Sequence, residues 1–161
     1  MGRIIIATES CVREANTTQY GTNEEWSNDD TAPTAYKFEE LAGLSGTITD
    51  VVLVSSNDPA TLLQGELWLF DDSTALVNDN AAFALSDADA LKLVGVVPFT
   101  LVTSVAGTGT NSVAHIIDLN FGFDCTLKAN GLYMRVKVKN AYTPASAETL
   151  NVRLKVRREA G

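Results

Sequence analysis

Two stretches in the last third of the chain alternate apolar and polar residues without a break. Leu132–Lys139 reads Leu-Tyr-Met-Arg-Val-Lys-Val-Lys, and Leu150–Arg157 reads Leu-Asn-Val-Arg-Leu-Lys-Val-Arg. Successive side chains of a strand point to opposite sides, so a period of two predicts two strands, each with one face buried and one wet. Leu132, Met134, Val136 and Val138 make the first buried row, and Leu150, Val152, Leu154 and Val156 the second. Further strands are expected at Arg3–Thr8, Gly46–Ser55, Gly65–Asp71, Val94–Ser104 and Ser112–Leu119, with weaker candidates near Tyr36 and at Phe121–Leu127. The continuously apolar runs Val51–Val54 and Val94–Val97 suit strands covered on both sides, or central in a packed sandwich.

Turn chemistry separates these segments at Ser56-Asn57-Asp58-Pro59, Gly107-Thr108-Gly109-Thr110-Asn111, Asn120–Asp124, Ala129-Asn130-Gly131 and Thr143-Pro144. Helical signal is confined to Ser86–Leu93, where Ser86 is a candidate N-cap, Asp87 and Asp89 favour the first turn, and Gly95 is expected to end the helix. The fold class is therefore all-β: a jelly-roll-like antiparallel β-sandwich of about eight strands with one short helix. Residues 16–34 are polar and aperiodic, so residues 1–34 read as an extended N-terminal arm and residues 35–161 as the sandwich domain.

Composition sets bounds on this picture. A chain of 161 residues with 45% hydrophobic and 20% charged residues is one domain that can bury its own core without a disulfide or metal staple. Cys11 and Cys125 have no cysteine neighbours at metal-binding spacing and read as free buried thiols. The apolar run Ile4-Ile5-Ile6 is too short for a signal-peptide core, and no stretch approaches the ~20 apolar residues of a membrane helix.

Charge changes the picture more. The net −8 argues against nucleic acid and membrane surfaces as partners, but it is unevenly spread. Residues 1–130 hold 5 basic and 18 acidic groups (net −13), and residues 131–161 hold 7 basic and 2 acidic groups (net +5). The basic groups fall on the outward rows of the two alternating strands: Arg135, Lys137 and Lys139 on one, and Arg153, Lys155 and Arg157, after Asn151, on the other. Paired as neighbours, these rows would set cations against cations at ~5 Å. Either the strands lie in opposite sheets, or acids from another strand or subunit stand between them. An outward basic row on an otherwise acidic chain implies an acidic protein surface as partner.

Catalytic constellations are thin. The single histidine, His115, has Asp118 nearby in sequence but no nucleophile-elbow motif, and it reads as a surface or strand-packed residue. Glu24-Glu25, Asp29-Asp30, Glu39-Glu40 and Asp71-Asp72 are adjacent pairs, and adjacent acids on a strand point apart, which does not suit glycoside hydrolysis. Asp71, Asp72, Asn78, Asp79 and Asn80 offer hard oxygen ligands, but their spacing matches no EF-hand and they read as solvated loop residues. No catalytic, cofactor-binding or metal-ligating residue is assigned.

One segment resembles a known family. Leu67-Trp68-Leu69-Phe70-Asp71-Asp72, then Asn78-Asp79-Asn80-Ala81-Ala82-Phe83-Ala84-Leu85-Ser86-Asp87-Ala88-Asp89, Lys92 and Gly95-Val96-Val97-Pro98-Phe99 together resemble a pattern in head decoration (cement) proteins of tailed bacteriophages. The likeness covers roughly residues 64–100. This sequence has Asp72-Ser73-Thr74 where the pattern tends to a Pro-Thr turn. Leu67, Leu69 and Phe83 are expected in the core of such a fold, with Trp68 and Phe70 on the other side. The resemblance implies a jelly-roll virion protein without enzymatic activity, assembled in the host cytoplasm and bound to the outer capsid surface. Its implied partner is the major capsid protein, with a homotrimer suited to threefold sites and a dimer as second choice. Trp26 and Tyr20, on the arm, join the basic residues as interface candidates. With Tyr36 and Tyr142 they are also the aromatics that the alternative, a carbohydrate- or receptor-binding sandwich, would use. A tail or baseplate location is a further variant.

Overall fold

The computed structural model describes residues 2–104, 110–127 and 131–158. The Gly107-Thr108-Gly109 turn and the Ala129-Asn130 part of the next one lie outside the described residues. The strands are β1 (Arg3–Val12), β2 (Glu24–Trp26), β3 (Tyr36–Phe38), β4 (Ser45–Ser55), β5 (Gln64–Phe70), β6 (Leu93–Thr100), β7 (Val102–Thr103), β8 (Ser112–Ile116), β9 (Phe121–Asp124), β10 (Leu132–Val138) and β11 (Thr149–Arg158). A 3-10 turn at Glu39–Leu41 and one helix, α1 (Asp87–Ala90), complete the set. β2, β3 and β7 are fragments of three, three and two residues, so the strands of real length number about as expected.

Sheet one runs β1-β11-β4-β8-β7, with β9 also on β4; sheet two runs β2-β10-β5-β6, with β3 also on β10. All pairings are antiparallel. If β2 with β3, and β8 with β9, each count as one interrupted strand, the first, eighth, third and sixth strands face the second, seventh, fourth and fifth. That interleaving is the double Greek key of a jelly roll. β10 and β11 thus lie in opposite sheets, which separates their basic rows.

The alternating rows form the core as expected. Leu150, Val152, Leu154 and Val156 of β11 face Leu132, Met134, Val136 and Val138 of β10, and none is more than 1% exposed. The apolar run on β4 is central, between β11 and β8, yet it alternates: Val51 and Leu53 are fully buried while Val52 and Val54 are half-buried on the outer face. A bulge opposite Lys155/Val156 shifts the phase of β4, so Ile48 and Val51 are both inward although three apart. β4 changes partner at the same place, from β9 below to β8 above. A second irregularity, opposite Leu69 and Phe70, places the extra residue on β6, so β5 keeps its phase: Phe70, opposite Tyr133, stays on the outer side with Trp68 as expected, although it is fully buried there.

Ser86 caps α1 as expected, its hydroxyl accepting the Asp89 N–H at 3.1 Å. The helix ends at Leu91, not at Gly95, which lies within β6. A Cβ on Gly95 would sit 2.6 Å from the Phe121 ring, so glycine is needed there for packing and not as a stop signal.

The largest departure concerns residues 1–34, which form no separate arm. Ten residues of β1 pair with β11 from Arg3↔Arg158 to Val12↔Thr149, and β2 pairs with β10. Between them, Arg13 and Tyr20 are buried because their polar atoms find partners inside. Arg13, 2% exposed, donates to the Asp79 carboxylate at 2.7 Å, the Tyr20 hydroxyl at 3.0 Å and Asn80 at 3.2 Å. Asp79 also accepts from Tyr20 Oη and from the Ser27 N–H at 3.0 Å. Buried polar groups persist when each finds a partner, and these partners come from a loop some sixty-six positions away.

Candidate interface surfaces

The outer faces of the two sheets decide what the molecule can offer a partner. On sheet two the basic row of β10 is already occupied. Arg135, expected to face outward, does so and yet is only 2% exposed. Its Nε donates to Glu25 Oε1 at 2.8 Å, and its Nη2 to Glu25 Oε2. Its guanidinium also lies 4.4 Å from the centre of the Phe83 ring, which packs 5.1 Å from Trp68. Lys137 and Lys139 flank Glu66 at 3.9 and 3.6 Å, and Lys139 donates to Asn23 at 2.8 Å. The acids come from the flanking strands, since Lys137 stands between Glu25 of β2 and Glu66 of β5. Both arrangements anticipated for the two basic rows are therefore present: opposite sheets, and acids alongside.

The motif loop completes this cover. Segment 80–83 runs along β2, with the Glu25 N–H donating to Ala81 at 2.9 Å and the Phe83 N–H to Asn23 at 2.8 Å. Phe83 thereby lies on the outer face over Arg135 and Trp68 instead of in the core. Burial drives the Glu25 carboxyl above its ordinary pKa, and Arg135 pulls it part of the way back. One guanidinium nitrogen, Arg135 Nη1, is buried without a hydrogen-bond acceptor and has the ring face as its neighbour.

Sheet one presents the opposite case. Its outer face carries Ile4, Ile6 and Thr8 of β1, Arg153, Lys155 and Arg157 of β11, Asp50, Val52 and Val54 of β4, and His115 of β8. Register places Arg153 between Thr8 and Val52, Lys155 between Ile6 and Asp50, and Arg157 between Ile4 and Thr47. Ile4 and Ile6 are 50% and 41% exposed. A shallow depression of about 280 Å³ is lined by Ile6, Asp50, Val52, His115, Arg153 and Lys155. Lys155 reaches Asp50 at 3.4 Å, and the Thr49 hydroxyl, followed by Lys155, holds the Asp50 carboxyl below its usual pKa. His115 stands opposite Val52 in this open surface, as a surface residue.

The aromatic candidates are interior. Trp26 and Tyr142 are fully buried, Tyr20 is 1% and Tyr36 8% exposed. Tyr20 stacks on Trp26 at 5.8 Å with ring planes 6° apart, and burial beside Asp79 pushes its hydroxyl pKa well up. Tyr142 donates to the buried Glu148, which also accepts from Ser55, Asn57 and the Ala145 N–H. Tyr20 and Trp26 are thus withdrawn as surface contacts, because their polar atoms are committed inside. The loop oxygens considered for calcium are partly committed too, Asp79 and Asn80 accepting from Arg13. Glu14, Asp29 and Asp30 bring carboxylate oxygens within 4.8 Å of one another, an acidic group near the surface. Cys11 is a free, buried thiol, and Cys125 is buried as well.

No protein-family model and no curated protein matches the chain. Among solved structures it is similar to a chain of the cyanophage Pam1 capsid asymmetric unit, at 15% identity and TM-score 0.44, over 98% of this chain and 86% of that one. It is also similar to a chain of the native Kashmir bee virus virion at neutral pH, at 13% identity and TM-score 0.30, over 98% and 71%. At these TM-scores neither likeness decides what this chain does.

Proposed function

We propose that this protein is a non-enzymatic structural component of a tailed-phage virion that binds the outer capsid surface and cements neighbouring major capsid subunits. The observation that carries the reading is the outer face of sheet one, where Arg153, Lys155 and Arg157 stand among exposed isoleucines with no element of the chain laid over them among the described residues. A mixed apolar and cationic face suits an acidic protein surface: the isoleucines supply buried area, and the cations steer and orient the encounter. The resemblance of residues 64–100 to head decoration proteins supplies the identity of that surface, an assembled shell. Repetition over a symmetric shell turns a modest contact into large avidity. The jelly roll alone would not choose, since lectins share it with capsid proteins. The glycan-binding alternative has lost its platform, because Trp26, Tyr20, Tyr36 and Tyr142 are interior.

The test is cosedimentation of the purified protein with expanded, undecorated capsids. Binding at low salt that weakens as salt rises is expected, and an R153E/K155E/R157E variant is expected to stay in the supernatant. Failure of the wild-type protein to pellet with capsids at low salt, or binding to purified tails alone, would overturn the reading.

A further inference from the structure

We infer that the N-terminal half of β1 is a pairing edge, and that its occupant is a second copy of this chain joined antiparallel about a twofold axis at Ile5. An edge strand offers unpaired main-chain groups to any extended segment, and proteins ordinarily guard it. Three of the other edges are guarded here. β6 carries Pro98, β7 is two residues long, and the outer side of β2 is taken by segment 80–83. The upper half of β1 is covered as well. The Thr8 N–H donates to Glu40 at 3.4 Å, the Ser10 N–H to Glu9 at 2.8 Å, and the Val12 carbonyl accepts from Tyr36 at 3.0 Å.

Those three bonds show which way the strand faces. Thr8, Ser10 and Val12 aim their main-chain groups away from β11, so the period of two aims those of Ile4 and Ile6 the same way. No partner meets them among the described residues. The side chains beside these groups are the half-exposed Ile4 and Ile6, with no proline, bulge or inward lysine between Ile4 and Ala7.

Self-pairing fits this edge. A twofold axis at Ile5 sets Ile4 against Ile6 of the partner subunit, and Ile6 against Ile4 of the partner subunit. In each pair both main-chain bonds can form, and the four isoleucines close into one apolar strip. The same register puts Arg3 diagonal to Glu9 of the partner subunit on the inner face, within ~7–8 Å, so opposite charges meet at both ends. The two β11 cation rows would be three strand spacings apart, ~14 Å, which exceeds the ~8 Å screening length of physiological salt. A strand closing on itself about a twofold makes a dimer, not the trimer that capsid threefold sites favour. The pairing does not depend on the capsid reading. Its use, a continuous sheet presenting two basic faces to one shell, rests on that reading.

Analytical ultracentrifugation of the full chain tests the edge, with circular dichroism to check folding. A dimer is expected at about 100 µM, and I6K should raise its dissociation constant about tenfold or more. V12K, on the covered half of the same strand, should leave the dimer intact. I5C should form an intermolecular disulfide on mild oxidation, because residue 5 of each copy would sit in a non-hydrogen-bonded pair with ~4.5 Å between Cα atoms. A wild-type protein that stays monomeric, a dimer indifferent to I6K, or a dimer that I5C does not cross-link would each overturn the proposal. A monomer that pellets with capsids would refute the dimer alone, and a dimer that ignores capsids would refute the capsid reading alone.

Discussion

Arg135 and Arg153 hold matching places, each an outward arginine midway along an alternating strand, and they end in opposite environments. Arg135 is 2% exposed, held by both oxygens of Glu25 under the Phe83 ring, whereas Arg153 faces solvent between Thr8 and Val52. The difference arises in neighbours, not in the strands themselves. β10 lies between β2 and β5, which bring Glu25 and Glu66, and a long loop folds Phe83 over the row. β11 lies between β1 and β4, which bring isoleucines, threonine and valine with Asp50 as the acid beside Lys155. One sheet has spent its charges on itself, and the other keeps them for a partner.

The strongest way to break this contrast is to remove one half of the closed pair. Arg135→Met leaves Glu25 buried without its counter-ion, and an uncompensated buried charge costs ~3–5 kcal/mol. Urea unfolding should show that loss, and adding Glu25→Leu should recover much of it, because two apolar side chains leave no charge stranded. Loss in the double variant equal to that in the single one would mean that the pair is not what closes this face. Phe83→Ala should cost less, about 1–3 kcal/mol, since the ring is only half-buried, and the loss should be accompanied by a change in Trp68 fluorescence.

The two faces should also titrate in opposite senses. Glu25 holds its proton more tightly folded than unfolded, so its contribution favours folding below its ordinary pKa of 4.5 and is lost as pH rises through the raised value. Asp50 is the reverse: its contribution is present above its ordinary 3.8 and is lost as pH falls through the lowered value. Unfolding free energies measured from pH 3 to 7 for the wild-type protein, E25Q and D50N would separate them. The wild-type minus E25Q difference should decline towards neutrality, and the wild-type minus D50N difference should decline towards acid.

How much of this was legible in sequence follows the range of the interactions. The two alternating strands, the Ser86 cap and the core rows are local patterns of period two or of a single turn, and each stands where the pattern put it. The reading of residues 1–34 as an arm failed for a nonlocal reason. Arg13, Asn16 and Tyr20 look like surface residues until Asp79 and Asn80 are folded against them, and nothing in a local window pairs positions that far apart. Trp26 was the available hint, a large apolar ring in a polar stretch that would be costly to leave wet. Phe70 keeps the side that alternation gave it, opposite Tyr133, but its complete burial on that outer side depends on other segments and has no local signal. For the interface, alternation correctly said which face Arg135 takes, but whether a face is covered depends on another segment. The isoleucines of β1, read only as strand formers, gained significance once their edge was seen to lack a partner.

The smallest expected effect on stability is the most telling about the open face. Arg153→Glu and Arg157→Glu alter exposed side chains that occur in none of the ion pairs among the described residues, so each should change stability by no more than about 0.5 kcal/mol. Lys155→Ala breaks an exposed contact to Asp50, and pairs of that kind are worth ~0–1 kcal/mol. A face that exists to hold the fold together would not tolerate such changes, and the matching change on the other sheet, Arg135→Met, should not be tolerated. If thermal unfolding shows R153E as damaging as R135M, the two faces are equivalent and sheet one is closed by something the charge pattern does not reveal. If R153E folds like the wild-type protein and its capsid binding is lost at low salt, the charges on sheet one serve association and not folding.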